Sequence, residues 1–414
     1  MTGPRLALVL ALLAVFALDG GARAQEVTPK RPRYDFDVEA RIVPTERAAH
    51  VTLEVSNGAQ HLDWLRFRID PKRHLLFRGD GEVRTEGAHV TWIPPRKGGK
   101  LTYVFRIDHL RDARRYDARC AKTWAIFRGE DLVPPARVST ADGAQSRTRF
   151  RVRLPERWAI VTPYAKLKSG AFKVQHPRRS FSRPTGWMIA GDLGVLREEV
   201  ADVRVAIAGP RTMGVRRQDM LALLHWTLPT LRSILGSLPK RLLIVSAADP
   251  MWHGGLSGPN SLFLHAHRPL ITEEGPSPLL HEVMHTALGL RPGNDGDWAI
   301  EGFAQYYSLQ LLVRSGTISK DRLDLALERQ AERGKESTHL RSKSISGAGT
   351  ARAVTVLRAL NGVIRDATSE TKDLDDVLRI LVAEGGSLTT ERVKRAAEQV
   401  SGKDLTSFFE SQVP

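Results

Sequence analysis

His281, Glu282 and His285 stand in "LLHEVMHTALGL" (279–290), a stretch that is otherwise almost wholly apolar. Burying three ionisable groups on one helix is costly unless they are paired or bind a metal. Two histidines at i and i+4 lie one turn apart on the same face, so both imidazoles can reach one ion. Glu282, beside the first histidine, stands next to that ion without binding it, where it can take a proton from a water the ion activates. The spacing H-E-x-x-H therefore points to metal-assisted hydrolysis with Glu282 as general base. A third ligand is expected from Glu301, in the first turn of the helix predicted to open "DWAIEGFAQYYSLQLLVRSG". If the eight-residue link "GLRPGNDG" folds the two helices antiparallel, His285 and Glu301 fall at the same level. His281, His285 and Glu301 then form a His2Glu set with one position open, the catalytic arrangement for zinc, and Zn2+ is the expected cofactor.

The elements that must hold these groups are legible locally. Ser277 suits an N-cap, Pro278 the first helical position and Gly289 the C′ position, which makes the motif one capped helix of about three turns. Asp297 is expected to cap the second helix. Gln305, one turn after Glu301, either steadies a ligand or faces solvent. Tyr306 and Tyr307 read as core packing with one hydrogen bond near the site. His265 and His267 share one face of the predicted strand "SLFLHAH" and read as edge-strand residues. No second metal site is expected there, since no carboxylate is close in sequence.

Along the chain the hydrophobic period changes once. From Tyr34 to about residue 207 it is two: in "YDFDVEARI", Tyr34, Phe36, Val38, Ala40 and Ile42 alternate with Asp35, Asp37, Glu39 and Arg41. "VTLEV", "LRFRI", "LTYVFRI" and "VRVAI" continue the pattern, which argues for an antiparallel β-sandwich that gathers no chemistry of its own. After "AGPRTMG" (208–214) a helix opens near Asp219, with Pro229 inside it. A strand "RLLIV", a Gly-rich turn "HGGLSGPN", a strand over 261–267 and then helices almost to the end follow. The fold class is α+β: an N-terminal antiparallel β-sandwich over 25–207, then an α+β catalytic domain over 208–414 that ends in a helical bundle.

"HEVMH…WAIEGFAQYY" resembles the glycyl aminopeptidase family of gluzincin zinc metallopeptidases. The resemblance covers about 240–414 and implies a thermolysin-like catalytic domain behind an N-terminal β domain, with a peptide or protein substrate. "GGLSGPNSLFL" (254–264) sits where that family has a Gly-Gly-Leu-Glu-like turn and a substrate-binding edge strand. Gly254, Gly255, Leu256 and Ser257 are thereby the implied substrate-binding residues, and the strand over 261–267 is expected to hold an extended peptide by strand addition. "EQVSGKDLTSFFESQV" (398–413) resembles the family's closing helix. The family's exopeptidases bind the substrate's free amine with a glutamate where Ser257 stands. The larger relatives also place an oxyanion-binding tyrosine downstream of the third ligand. This chain has no tyrosine after Tyr307, and "SKSISGAGTARAV" offers only serines there. The other reading is a binding or scaffold protein of the cell envelope that keeps the fold and the metal without turnover.

Composition narrows the setting. One positive charge, the 13-residue apolar run Leu6–Leu18 and "ARA" at 22–24 read as a secretory signal peptide over residues 1–24. Export to the periplasm or the exterior is expected, with cleavage near Ala24 and no membrane-spanning segment in the mature chain. Cys120 is the only cysteine, which excludes intrachain disulfides and cysteine metal sites and leaves a buried thiol. The net charge of +16 falls to +15 without Arg5, Arg23 and Asp19, and favours an anionic envelope surface. The basic residues are dispersed ("RDARRYDAR", "HPRRSFSRP") and lack regular aromatic neighbours, so nucleic acid is not expected as a partner.

Overall fold

Alternating strands build the first half. The computed structural model describes residues 31–176 and 179–414; the signal-peptide reading falls outside them. In the first strand, Arg33–Val43, Tyr34, Phe36, Val38, Ala40 and Ile42 are all at most 3% exposed, as the period of two requires. This strand sits inside a seven-stranded sheet, between Ala48–Val55 and Gln145–Arg153. A four-stranded and a five-stranded sheet add the remaining layers, and the aromatic core formed by Phe36, Phe67, Trp92, Phe105 and Phe127 is shared among them.

One pairing departs from the antiparallel pattern. Arg33–Arg41 runs parallel to Gln145–Arg153, a neighbour from the far end of the sandwich that no hairpin constrains. The register sets Asp35 opposite Arg147 and Asp37 opposite Arg149, which close ion pairs of 2.7 and 2.6 Å. Part of the chain's positive charge is thereby matched across strands.

The second half forms around a mixed sheet with the order Leu193–Val200, Val203–Pro210, Arg241–Ala247, Ser261–His265, Gly255–Gly258. Val203–Pro210, which alternates like the strands before it, is a member of this sheet and runs parallel to Arg241–Ala247. The helix Arg217–Leu235 covers one face and continues through Pro229. Strand Trp187–Gly191 of the five-stranded sheet packs on the other face, with the Trp187 and Phe263 rings 5.5 Å apart. Residues 32–414 form one compact unit. From Pro278 onward the chain is mainly helical, with helices at Pro278–Leu288, Asp297–Arg314, Lys320–Gly334, Ala348–Ala367, Leu374–Glu384, Thr390–Ser401 and Thr406–Gln412. No helix among the described residues is long and apolar enough to cross a membrane.

Two sequence expectations change here. The predicted Gly-rich turn contains a strand, Gly255–Gly258, joined to Ser261–His265 through Pro259 and Asn260. Because Ser261–His265 pairs with Arg241–Ala247 on one side and Gly255–Gly258 on the other, both its edges are filled. It cannot accept an added strand, and the free edge belongs to Gly255–Gly258. Asp297 is the first helical residue rather than the cap. Gly296 takes the N-cap position, and Asp297 accepts a hydrogen bond from the Ile345 N–H at 2.7 Å. Gly296 is held there by close packing: a Cβ on it would lie 1.8 Å from the Leu388 carbonyl oxygen.

Candidate metal centre

The motif helix is built as its residues specify. The Ser277 hydroxyl accepts from the Leu280 N–H, Pro278 fills the first turn, and Gly289 closes the helix at φ 61°, a left-handed conformation that favours glycine. The link to the next helix is pinned from outside: Arg291–Pro292 pairs with Ser387–Leu388, and the Gly293 N–H donates to the Leu388 carbonyl at 2.7 Å. That anchor turns Asp297–Arg314 back alongside the motif helix.

Three donor groups converge as a result. His281 Nε2 lies 3.3 Å and His285 Nε2 3.4 Å from opposite oxygens of the Glu301 carboxylate, and the two Nε2 atoms are 3.0 Å apart. One ligand atom from each of the three residues fits within 4.8 Å of the others. Gln305 Oε1 sits 2.9 Å from His281 Nδ1, so that nitrogen donates and Nε2 turns its lone pair toward the other two groups. A nitrogen–nitrogen–carboxylate set with one tautomer already fixed suits a divalent cation such as zinc.

Glu282 points elsewhere. It is 9% exposed, and its side chain presses on the edge strand: a Cβ on Gly255 would come within 2.5 Å of Glu282 Cγ and Oε1. The Ser257 backbone N–H donates to its carboxylate. Burial raises its pKa to about 7, against the opposing charge of His281, with Glu301 adding to the rise and Ser257 and Arg111 countering it. Burial also carries His285 down to about 4, helped by the charge of His281. For His281, burial is outweighed by the Glu301 hydrogen bond and the two carboxylates, which hold it above the usual imidazole value.

Among the implied substrate-binding residues, Gly255 and Ser257 touch Glu282, and Leu256 lies between them on the free edge. Gly254 packs against the Trp252 indole just before that strand. The cleft in front of the donor groups is lined by Gly255, Arg268, Glu274, His281, Glu282, Glu301, Gln305, Arg333, Ser346 and Thr350, among others. Ser346 and Thr350 come from the segment that offered no tyrosine. Tyr307 is fully buried and donates to Asp375 at 2.8 Å, away from the donor groups, and Tyr306 is buried beside it.

One contributor escaped the sequence. Arg111, in the turn between His109–Leu110 and Tyr116–Cys120 of the β half, stacks 5.0 Å over the Trp252 ring, and its positive charge is a small influence that lowers the Glu282 pKa. A run of arginines in a turn carries no local signal for that role.

A second group also forms, where sequence spacing predicts no metal site. His265 ends its strand buried, His267 lies beyond it and exposed, and Asp249 comes alongside both from the end of the neighbouring strand.

No protein-family model matches the chain, and no curated protein does. Solved structures do. An aminopeptidase N family protein from Idiomarina loihiensis superposes with a TM-score of 0.69 over 92% of this chain and 76% of its own, at 15% identity. The chain shares its fold with that protein. This is an α+β fold with a β-rich first half and a helical second half.

Proposed function

We propose that the protein is an exported zinc metallopeptidase that hydrolyses peptide bonds. The observation that carries this reading is the convergence of His281, His285 and Glu301 with the buried carboxylate of Glu282 held just outside them. Bound there, zinc would lower the pKa of a water and polarise a carbonyl. Glu282 would take the proton from that water and pass it to the leaving amine. Gln305 steadies His281. The free edge Gly255–Gly258 holds an extended peptide by main-chain hydrogen bonds. Ser346 and Thr350, which line the cleft, offer hydroxyls for the oxyanion. Residues 1–24 act as the signal for export, and the basic surface favours an anionic envelope. Nucleic acid is not a partner in this reading. The direct test is hydrolysis by zinc-loaded protein that is lost on chelation and regained with zinc; hydrolysis indifferent to chelation contradicts it.

A second reading rests on Ser257 and on the lack of a tyrosine beyond Tyr307. It takes the protein as a metal-stabilised binding or scaffold protein. The burial of Glu282 speaks against it, because a carboxylate kept out of water costs stability, and a binding or scaffold role gives that cost no return.

Two expected results arise here. With Ser257 at the position of the amine-binding carboxylate, N-terminally blocked peptides should be cut at least as fast as free-amine ones. A rate ratio strongly in favour of free amines would transfer that role to another acid, with Glu274 in the cleft the first to test. Gly255→Ala should lower hydrolysis by at least tenfold with zinc content unchanged. The new Cβ meets the flexible end of Glu282 and moves it, and a displaced general base loses much of its typical 10²- to 10⁴-fold contribution. An unaltered rate in Gly255→Ala would show that Glu282 does not act from this position.

A further inference from the structure

The end of the mixed sheet holds a cluster that the cleft does not use. Parallel pairing sets Ala247 opposite His265, which brings Asp249, two residues further on, beside His265 and His267. Their ligand atoms lie within 4.8 Å of one another. His265 is 3% exposed, yet its Nε2 has no hydrogen-bond partner. A buried polar nitrogen left unpaired is costly and calls for an explanation. The nearest opposite charge, Asp249 Oδ1, is 3.9 Å away. That is too long for a hydrogen bond but within reach of two donors that share an ion at about 2 Å each. The Asp249 carboxylate is itself fixed by His253, whose Nε2 lies 2.5 Å from Oδ1, the arrangement by which an outer histidine orients a ligating carboxylate.

We propose that Asp249, His265 and His267 form a binding site for a divalent transition-metal ion, separate from the cleft and independent of the reading given to it. Two imidazoles and one carboxylate form a donor set suited to zinc, with positions left for water because Asp249 and His267 face solvent. The affinity should be lower than that of the cleft, for two reasons. Arg115 places positive charge near His265, with Asp112 near His253 as a partial offset. The weak 3.3 Å hydrogen bond that His265 Nδ1 accepts from the His267 N–H must also be given up when Nε2 binds an ion.

The test uses chelator-stripped protein titrated with Zn2+ at pH 7.5, the bound metal being counted by mass spectrometry after equilibrium dialysis. The side chains of Asp249 and His267 are exposed, so Asp249→Asn with His267→Ala should melt like wild type in chelator. That variant should bind one equivalent fewer than wild type, or bind it at least about tenfold more weakly. His281→Ala with His285→Ala should keep the equivalent that the first variant loses, which separates this site from the cleft whatever the cleft does. Wild-type stoichiometry and affinity in Asp249→Asn/His267→Ala, or no bound zinc in His281→Ala/His285→Ala, overturns the proposal.

Discussion

Replacing His285 by alanine should abolish tight zinc binding in the cleft and remove the thermal stabilisation that zinc gives. His285 supplies one of three convergent donors, and its Nε2 sits 3.0 Å from that of His281 and 3.4 Å from Glu301. With two donors left, the ion keeps no closed set of protein ligands. At zinc roughly a thousandfold above its dissociation constant, binding adds about 4 kcal/mol to the folded state. In a unit of this size that corresponds to a rise in melting temperature of about 5 °C. Wild type should show this rise on zinc addition, and His285→Ala should not. The apo melting temperature of the variant should differ much less, because the rise comes from the bound ion, which neither apo protein holds. Scanning calorimetry with and without zinc checks it; equal zinc-dependent shifts in both proteins would exclude His285 as a ligand.

Glu282→Gln carries the largest expected loss of rate. The amide keeps the shape and can still accept the Ser257 N–H, but it cannot take a proton. Hydrolysis should fall by at least about 10²-fold, the usual scale of general-base assistance, while zinc occupancy holds. The same variant has a readout that needs no substrate. In the metal-free protein the Glu282 carboxyl ionises at about 7, above its unfolded value of about 4.5, so the folded state holds a proton that the unfolded state has lost in that window. The stability it contributes is complete below about pH 4.5 and is lost as pH rises through 7. Metal-free Glu282→Gln should therefore be more stable than wild type at pH 8, and the difference should vanish by about pH 4.5. His285, with its pKa carried down to about 4, works in the opposite sense and costs both proteins stability as pH falls below about 6.5. Denaturant midpoints at pH 5 and pH 8 measure the contrast; parallel pH profiles for the two proteins would show that Glu282 is not buried as described.

Much of this was legible because it is local. The caps at Ser277, Pro278 and Gly289 and the i, i+4 histidines act within one helix, so sequence spacing sets their geometry. Glu301 was reachable because one short link joins its helix to the first. What stayed hidden depends on pairing between distant segments. Gly255–Gly258 read as a turn because glycines and a serine show no hydrophobic alternation, and only its pairing with Ser261–His265 makes it an edge. Asp249 joins His265 and His267 through a parallel register that no spacing reveals. Arg111 comes near enough for its charge to be felt at Glu282 because its turn packs against Trp252, and in sequence it is one arginine among several. The parallel pairing of Arg33–Arg41 with Gln145–Arg153 was hidden for the same reason: alternation fixes which face is buried but not which strand lies alongside.

The central claim is that Glu282 and the His2Glu centre together hydrolyse peptides. Its most direct test is a mixed library of N-blocked and free peptides incubated with zinc-loaded wild type and with Glu282→Gln at equal zinc content, with products read by mass spectrometry. Defined cleavage products should appear with wild type, disappear on chelation, and form at least about 10²-fold more slowly with Glu282→Gln. If wild type cleaves nothing above the Glu282→Gln background while both proteins hold zinc, the account is wrong and the protein is a metal-stabilised binding module.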